Sequence, residues 1–169
     1  GVNSGLFFLM PEFAHEKGYP VWIGQGGAFG LIVLGSTLFM VPMGHLADRV
    51  GRRRTLIAMM VMSAISYHAI VRLTLPVPAF IVLCILGGAF LGIVNPLGIA
   101  LGQRIAPREN VSIVSAILMG WAWCLGGTVP SIVGELYVRF GHNATKTLMW
   151  LGIANIVMVM LGFCVPKLA

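Results

Sequence analysis

The chain alternates between long apolar blocks and short clusters of charge. Five stretches contain no Asp, Glu, Lys or Arg: Gly18–Ala47, Thr55–Val71, Leu73–Gln103, Asn110–Gly134 and Thr147–Pro166. A helix needs about 20 mostly apolar residues to cross a bilayer. The pattern predicts five complete spans, at about 21–43, 55–72, 77–102, 111–134 and 147–166. The opening run Gly1–Pro11, GVNSGLFFLMP, is too short to cross. It reads as the last half of a helix. It does not read as a signal peptide, because no basic segment precedes it and no small-residue cleavage site ends it.

Between the blocks lie EFAHEKGYP, TLPVP, QRIAPREN and RFGHNATK. Their lengths suit antiparallel helix neighbours. The expected fold is an all-α integral membrane protein of about six helices, the first truncated. Gly and Pro also fall inside spans, at Asn95–Gly98 and Gly126–Pro130. Membrane helices tolerate this where neighbouring groups satisfy the freed backbone. The repeats Gly26-x-x-x-Gly30, Gly88-x-x-x-Gly92 and Gly98-x-x-x-Gly102 predict close helix packing.

Composition excludes a soluble domain. About a quarter of residues in soluble proteins are charged; here 9% are. A pI near 9.8 does not indicate nucleic acid, because the basic residues are flanked by bilayer-length apolar runs instead of covering a soluble face. Cys84, Cys124 and Cys164 each sit in an apolar run, with neither metal spacing nor a disulfide framework. They are expected to be small buried hydrophobes. No residue pattern calls for a metal or a cofactor.

Lys and Arg set orientation. One set of loops holds Arg49, Arg52, Arg53, Arg54, Arg104, Arg108 and Lys167. The other holds only Lys17, Arg72, Arg139 and Lys146. The first set is expected on the cytoplasmic side, together with the C-terminus.

Four arginines crowd into Arg49–Arg54. Gly44 and Gly51 bracket this loop, and Asp48 is the one acid within it. Bulk charge would be enough for a topology anchor; glycines and an acid at set offsets ask for a defined shape. GHLADRVGRRR, Gly44–Arg54, resembles at all eleven positions the signature loop of the major facilitator superfamily, G-x-L-A-D-R-x-G-R-R/K-R/K. The resemblance implies a twelve-helix secondary transporter built of two six-helix halves. It implies that this loop latches against a helix of the opposite half and holds the cytoplasmic side shut. Asp48 would meet that helix's dipole, and Arg49 and Arg52 would order the latch. Arg53 belongs to the motif but, with Arg54, is expected to be solvated or lipid-facing.

The family's N-terminal half often carries an arginine in its fourth helix; Leu73–Gln103 has none. The chain also lacks a long linker after Pro166. It is expected to be the C-terminal half, with the N-terminal half as its partner. The segment Gly102–Leu136 is similar to that of fosmidomycin-resistance-type drug exporters, through Pro107–Arg108, the small residues after it and the pair Gly126–Gly127.

Substrate sites in such bundles lie near the midplane, where polar groups are costly and often functional. Asn95, beside Pro96, is either a pathway amide or a partner for backbone that Pro96 frees. Trp121 and Trp123 are two apart, so at most one faces a cavity. Gln25, Ser36 and Glu135 are further pathway candidates. His68, tempting as a proton relay, is expected at the periphery. Asn143-Ala144-Thr145 matches a glycosylation sequon. No charged group lies at mid-span, so a proton-coupling carboxylate is expected in the other half.

The expected function is transport of a small molecule, as drug or metabolite efflux across a bacterial inner membrane, with any proton coupling carried by that other half. The alternative is a non-transporting polytopic subunit or a membrane-embedded enzyme. An enzyme needs convergent acid, base, nucleophile or metal groups, and the spans contain no such set.

Overall fold

Charge marks the helix ends. The structure, a computed structural model, describes residues 2–164, with side chains from Ser4 onward. Gly1, the final positions Val165 and Pro166 of the last predicted span, and Lys167 lie outside the described residues. The helices are α1 (Val2–Glu16), α2 (Ala28–Val50), α3 (Arg52–Arg72), α4 (Val77–Gly92), α5 (Val94–Ile105), α6 (Val111–Arg139) and α7 (Ala144–Phe163). A wide turn, Ile23–Gly27, leads into α2, and α4 and α5 form one interrupted rod. Among the described residues five segments are long and apolar enough to cross a membrane: Ile23–Val50, Arg52–Arg72, Val77–Ile105, Arg108–Arg139 and Ala144–Phe163.

The helices run further into the charged clusters than the hydropathy pattern suggests. α1 continues past Pro11 to Glu16; a proline in a helix removes one hydrogen bond but need not end the rod. α2 continues to Val50 and α3 starts at Arg52, so Gly51 is the whole connection. Gly44 is not a turn residue: it lies within α2, with open space where a side chain would go.

Helix α2 packs along α4, α3 against α7 and α4, and α1 against α6 and α7. The main core lies at the end away from Gly51. Leu9 and Phe13 of α1 meet Ile32, Tyr67, Val71, Phe80, Val133 and Leu148 there. A smaller core near Gly51 holds Ala47, Leu56, Met59, Ile93, Leu97 and Leu101. Helix α6 buries only Val133, and Trp121 and Trp123 are 63% and 75% exposed. An apolar surface of this kind belongs in lipid or against another protein.

One glycine repeat of the three packs as expected. A Cβ on Gly88 would strike the Ile32 carbonyl, and one on Gly92 would strike the Ser36 side chain. Gly26 and Gly30 meet nothing within 4 Å; Gly26 instead holds φ at 109° in the wide turn. Gly98 is also open, while Gly102 touches Leu118. Cysteine burial also needs correcting: Cys84 is buried, but Cys124 and Cys164 are exposed, because their helices have faces that no neighbour covers.

Candidate functional site

The arginine-rich turn is built around Gly51, where φ 106° and ψ 127° suit a residue without a side chain. The chain reverses there in a single step. Arg52, the first residue of α3, donates from Nε and Nη2 to Oδ1 of Asp48 at 3.2 and 3.0 Å. The pair bridges the turn. Asp48 remains 60% exposed and Arg52 31%, so water screens most of the attraction. Its effect is to orient the two side chains.

Arg53 is not simply solvated or lipid-facing, as expected from sequence. Its Nη2 donates to the Phe163 carbonyl at 2.9 Å. Phe163 closes α7, so the guanidinium meets a carbonyl at the negative end of that helix. Arg49 and Arg54 are exposed.

Asn95 stands at the interruption between α4 and α5. Pro96 has no N–H for the Gly92 carbonyl and its ring crowds that group, which is where α4 stops. The interruption borders a cavity of about 760 Å³. Leu91, Val94, Asn95, Gly98 and Ile99 form one wall, and Leu118, Ala122, Trp123, Gly126, Gly127 and Pro130 of α6 form the other. Ser4 of α1 and Met158 of α7 complete it.

Among the described residues no charged side chain lines this space. Its polar groups are the Asn95 amide, the Ser4 hydroxyl, the Trp123 indole N–H and bare backbone at Gly126–Gly127. Pro130 cannot donate to Gly126, so that carbonyl lacks its helical partner. Apolar walls with a few polar groups characterise small-molecule sites.

The structure brings Asn95 and Trp123 together and leaves the other pathway candidates elsewhere. Trp121 borders a separate shallow depression of about 300 Å³ with Ile117, Gly120 and Cys124. Gln25 is exposed in the wide turn. Ser36 sits in the seam between α2 and α4, against Gly92. Glu135 accepts from Arg139 at 2.6 Å on the surface. His68 lies against Gly152 of α7 and edge-on to Tyr67, a packing position.

At the opposite end Glu16 holds a place that the sequence reading did not assign. Its carboxylate accepts from the backbone N–H groups of Ala144 and Thr145 at 2.5 and 2.9 Å, and from the Thr145 hydroxyl at 2.9 Å. Asn143 also caps α7, accepting from the Lys146 N–H at 2.7 Å. The sequon residues Asn143 and Thr145 are therefore engaged in helix capping. An acid in the last turn of one helix and an Asn-x-Thr start on another are the only sequence signals of this junction.

A family model described as the Major Facilitator Superfamily matches residues 1–168. Neither a curated protein nor a solved structure matches the chain.

Proposed function

The chain belongs to the Major Facilitator Superfamily, a family of membrane transporters, and from that premise we propose that it is the C-terminal six-helix half of a secondary transporter. It moves a small molecule by rocking against an N-terminal half about a shared central site. The observation that carries this reading is the broken rod at Asn95 opening onto an apolar cavity. Interrupted helices near the midplane are where such transporters build their sites. Asn95 and Trp123 serve as pathway residues.

The uncharged lining favours an uncharged or weakly polar compound, in keeping with efflux of a drug-like molecule. A coupling carboxylate, if protons drive the cycle, lies in the other half. The Gly51 turn is the latch of the cytoplasmic side. Asp48 lies exposed at its rim and is oriented by Arg52 toward a helix end of the opposite half. On this reading the arginine-rich end and the C-terminus face the cytoplasm, and the bilayer is a bacterial inner membrane.

The test is flux in vesicles containing both halves, followed with a panel of fluorescent uncharged compounds. Asn95→Ala and Trp123→Ala should each lower flux about fivefold to tenfold, the worth of one hydrogen bond or somewhat more. Glu135→Gln should leave it unchanged. Flux unaltered in both cavity variants would remove this cavity from the pathway. Labelling of Asp48→Cys from the exterior by an impermeant maleimide would reverse the orientation.

A further inference from the structure

The arginine-rich end contains a second cavity, about 310 Å³, walled by Arg52, Arg53 and Arg54 of α3, Arg104 of α5, Val50 and Leu101. Guanidinium groups from two separate helices converge on it, and among the described residues no acid lines it. The nearby acid, Asp48, is engaged with Arg52, and Arg53 with Phe163. Arg54 and Arg104 have no acidic partner among the described residues.

The same place is the start of α3. Its first turn carries no acid, and Gly51 provides no side-chain cap. A helix N-terminus is already positive by about half a charge. Adding guanidinium groups there is unfavourable until an anion sits among them. The cavity also lies where the apolar segments Arg52–Arg72 and Val77–Ile105 end, the depth of lipid headgroups, and Val50 and Leu101 give it an apolar margin. Basic recesses between membrane helices suit phosphate-bearing headgroups, and the planar guanidinium fork matches phosphate oxygens two at a time.

We propose that this cavity binds a phosphate group, either on an anionic phospholipid headgroup or free in water. Arg54 and Arg104 clamp the oxygens, with the N-terminus of α3 behind them.

The experiment uses the purified chain in neutral detergent, with phosphatidylglycerol, phosphatidylcholine or inorganic phosphate added. Bound lipid is read by native mass spectrometry and stabilisation by thermal unfolding. Phosphatidylglycerol should be retained in preference to phosphatidylcholine and should raise the melting temperature. Arg54→Gln/Arg104→Gln should weaken retention by about tenfold or more, while Arg72→Gln, at the other end of α3, should not. Arg54→Lys/Arg104→Lys keeps the charge and should retain part of the binding, which separates lost binding from lost folding. Stabilisation by phosphatidylglycerol with none from inorganic phosphate assigns the lipid source; equal stabilisation by phosphate assigns a soluble one. Equal retention of both lipids, unchanged in the glutamine variant and without phosphate stabilisation, overturns the proposal.

Discussion

Glu16 and Thr145 are joined by two hydrogen bonds: the Thr145 backbone N–H and hydroxyl both donate to Glu16 Oε2 at 2.9 Å. With the Ala144 N–H on the other oxygen, one carboxylate caps α7 from the last turn of α1. A negative charge at a helix N-terminus is favourable both as acceptor and against the dipole. Glu16→Ala should therefore destabilise the bundle by about 1–2 kcal/mol. Glu16→Gln, which keeps one acceptor oxygen, should cost less. Thermal unfolding in detergent, followed by tryptophan fluorescence, checks the order. Equal melting temperatures for the parent and the alanine variant would mean that this clamp carries no stability.

The seam between α2 and α4 should tolerate no added volume. A methyl on Gly88 would overlap the Ile32 carbonyl, and one on Gly35 the Ile85 carbonyl. Backbone cannot step aside as a side-chain tip can, so Gly88→Ala and Gly35→Ala should each cost about 1–3 kcal/mol or more. Gly30→Ala, in the same rod but with nothing within 4 Å, should be neutral or slightly stabilising. Size-exclusion profiles and melting temperatures of the three variants test the contrast. Equal behaviour at Gly88 and Gly30 would contradict this packing.

Much of this architecture was legible in the residues. Charged clusters punctuate the apolar blocks, so the spans could be counted, and two tryptophans two positions apart could not share one face. Other features were hidden because they depend on distant partners. Glu16 finds its acceptor role 128 positions along the chain, and Arg53 finds the Phe163 carbonyl 110 positions away. The one-residue turn at Gly51 was hidden for a local reason. Asp48, Arg49 and Arg52–Arg54 look like a loop by charge, yet charged residues can remain helical where a rod emerges into water. Ser36 looked like a pathway residue because it is polar within a span. What decided its place was the absent side chain of Gly92 beside it.

The three cysteines should separate by exposure. Cys84 is buried between helices, whereas Cys124 is exposed on α6 and Cys164 is exposed just past the end of α7. In detergent, N-ethylmaleimide should modify Cys124 and Cys164 and leave Cys84 intact until the chain is denatured. Mass spectrometry of peptides before and after denaturation gives the answer. Early modification of Cys84 would place the α2–α4 seam in the wrong register or show it open.

The Asp48–Arg52 pair allows stability and function to be told apart. The two groups are four positions apart and largely hydrated, and exposed pairs of this kind contribute about 0.2–1 kcal/mol. Asp48→Asn should therefore leave the melting temperature almost unchanged. If the turn is the latch of a rocking transporter, the same variant should slow flux severalfold in vesicles containing both halves, because the loss falls on the closed state and not on the fold. Arg52→Gln should act in the same direction. Removing either partner should leave little more for the second substitution to do, so the double variant should fall well short of the product of the two single effects. Flux like the parent's in Asp48→Asn would remove the latch. A drop in flux matched by an equal drop in folded protein would make the pair a structural element and nothing more.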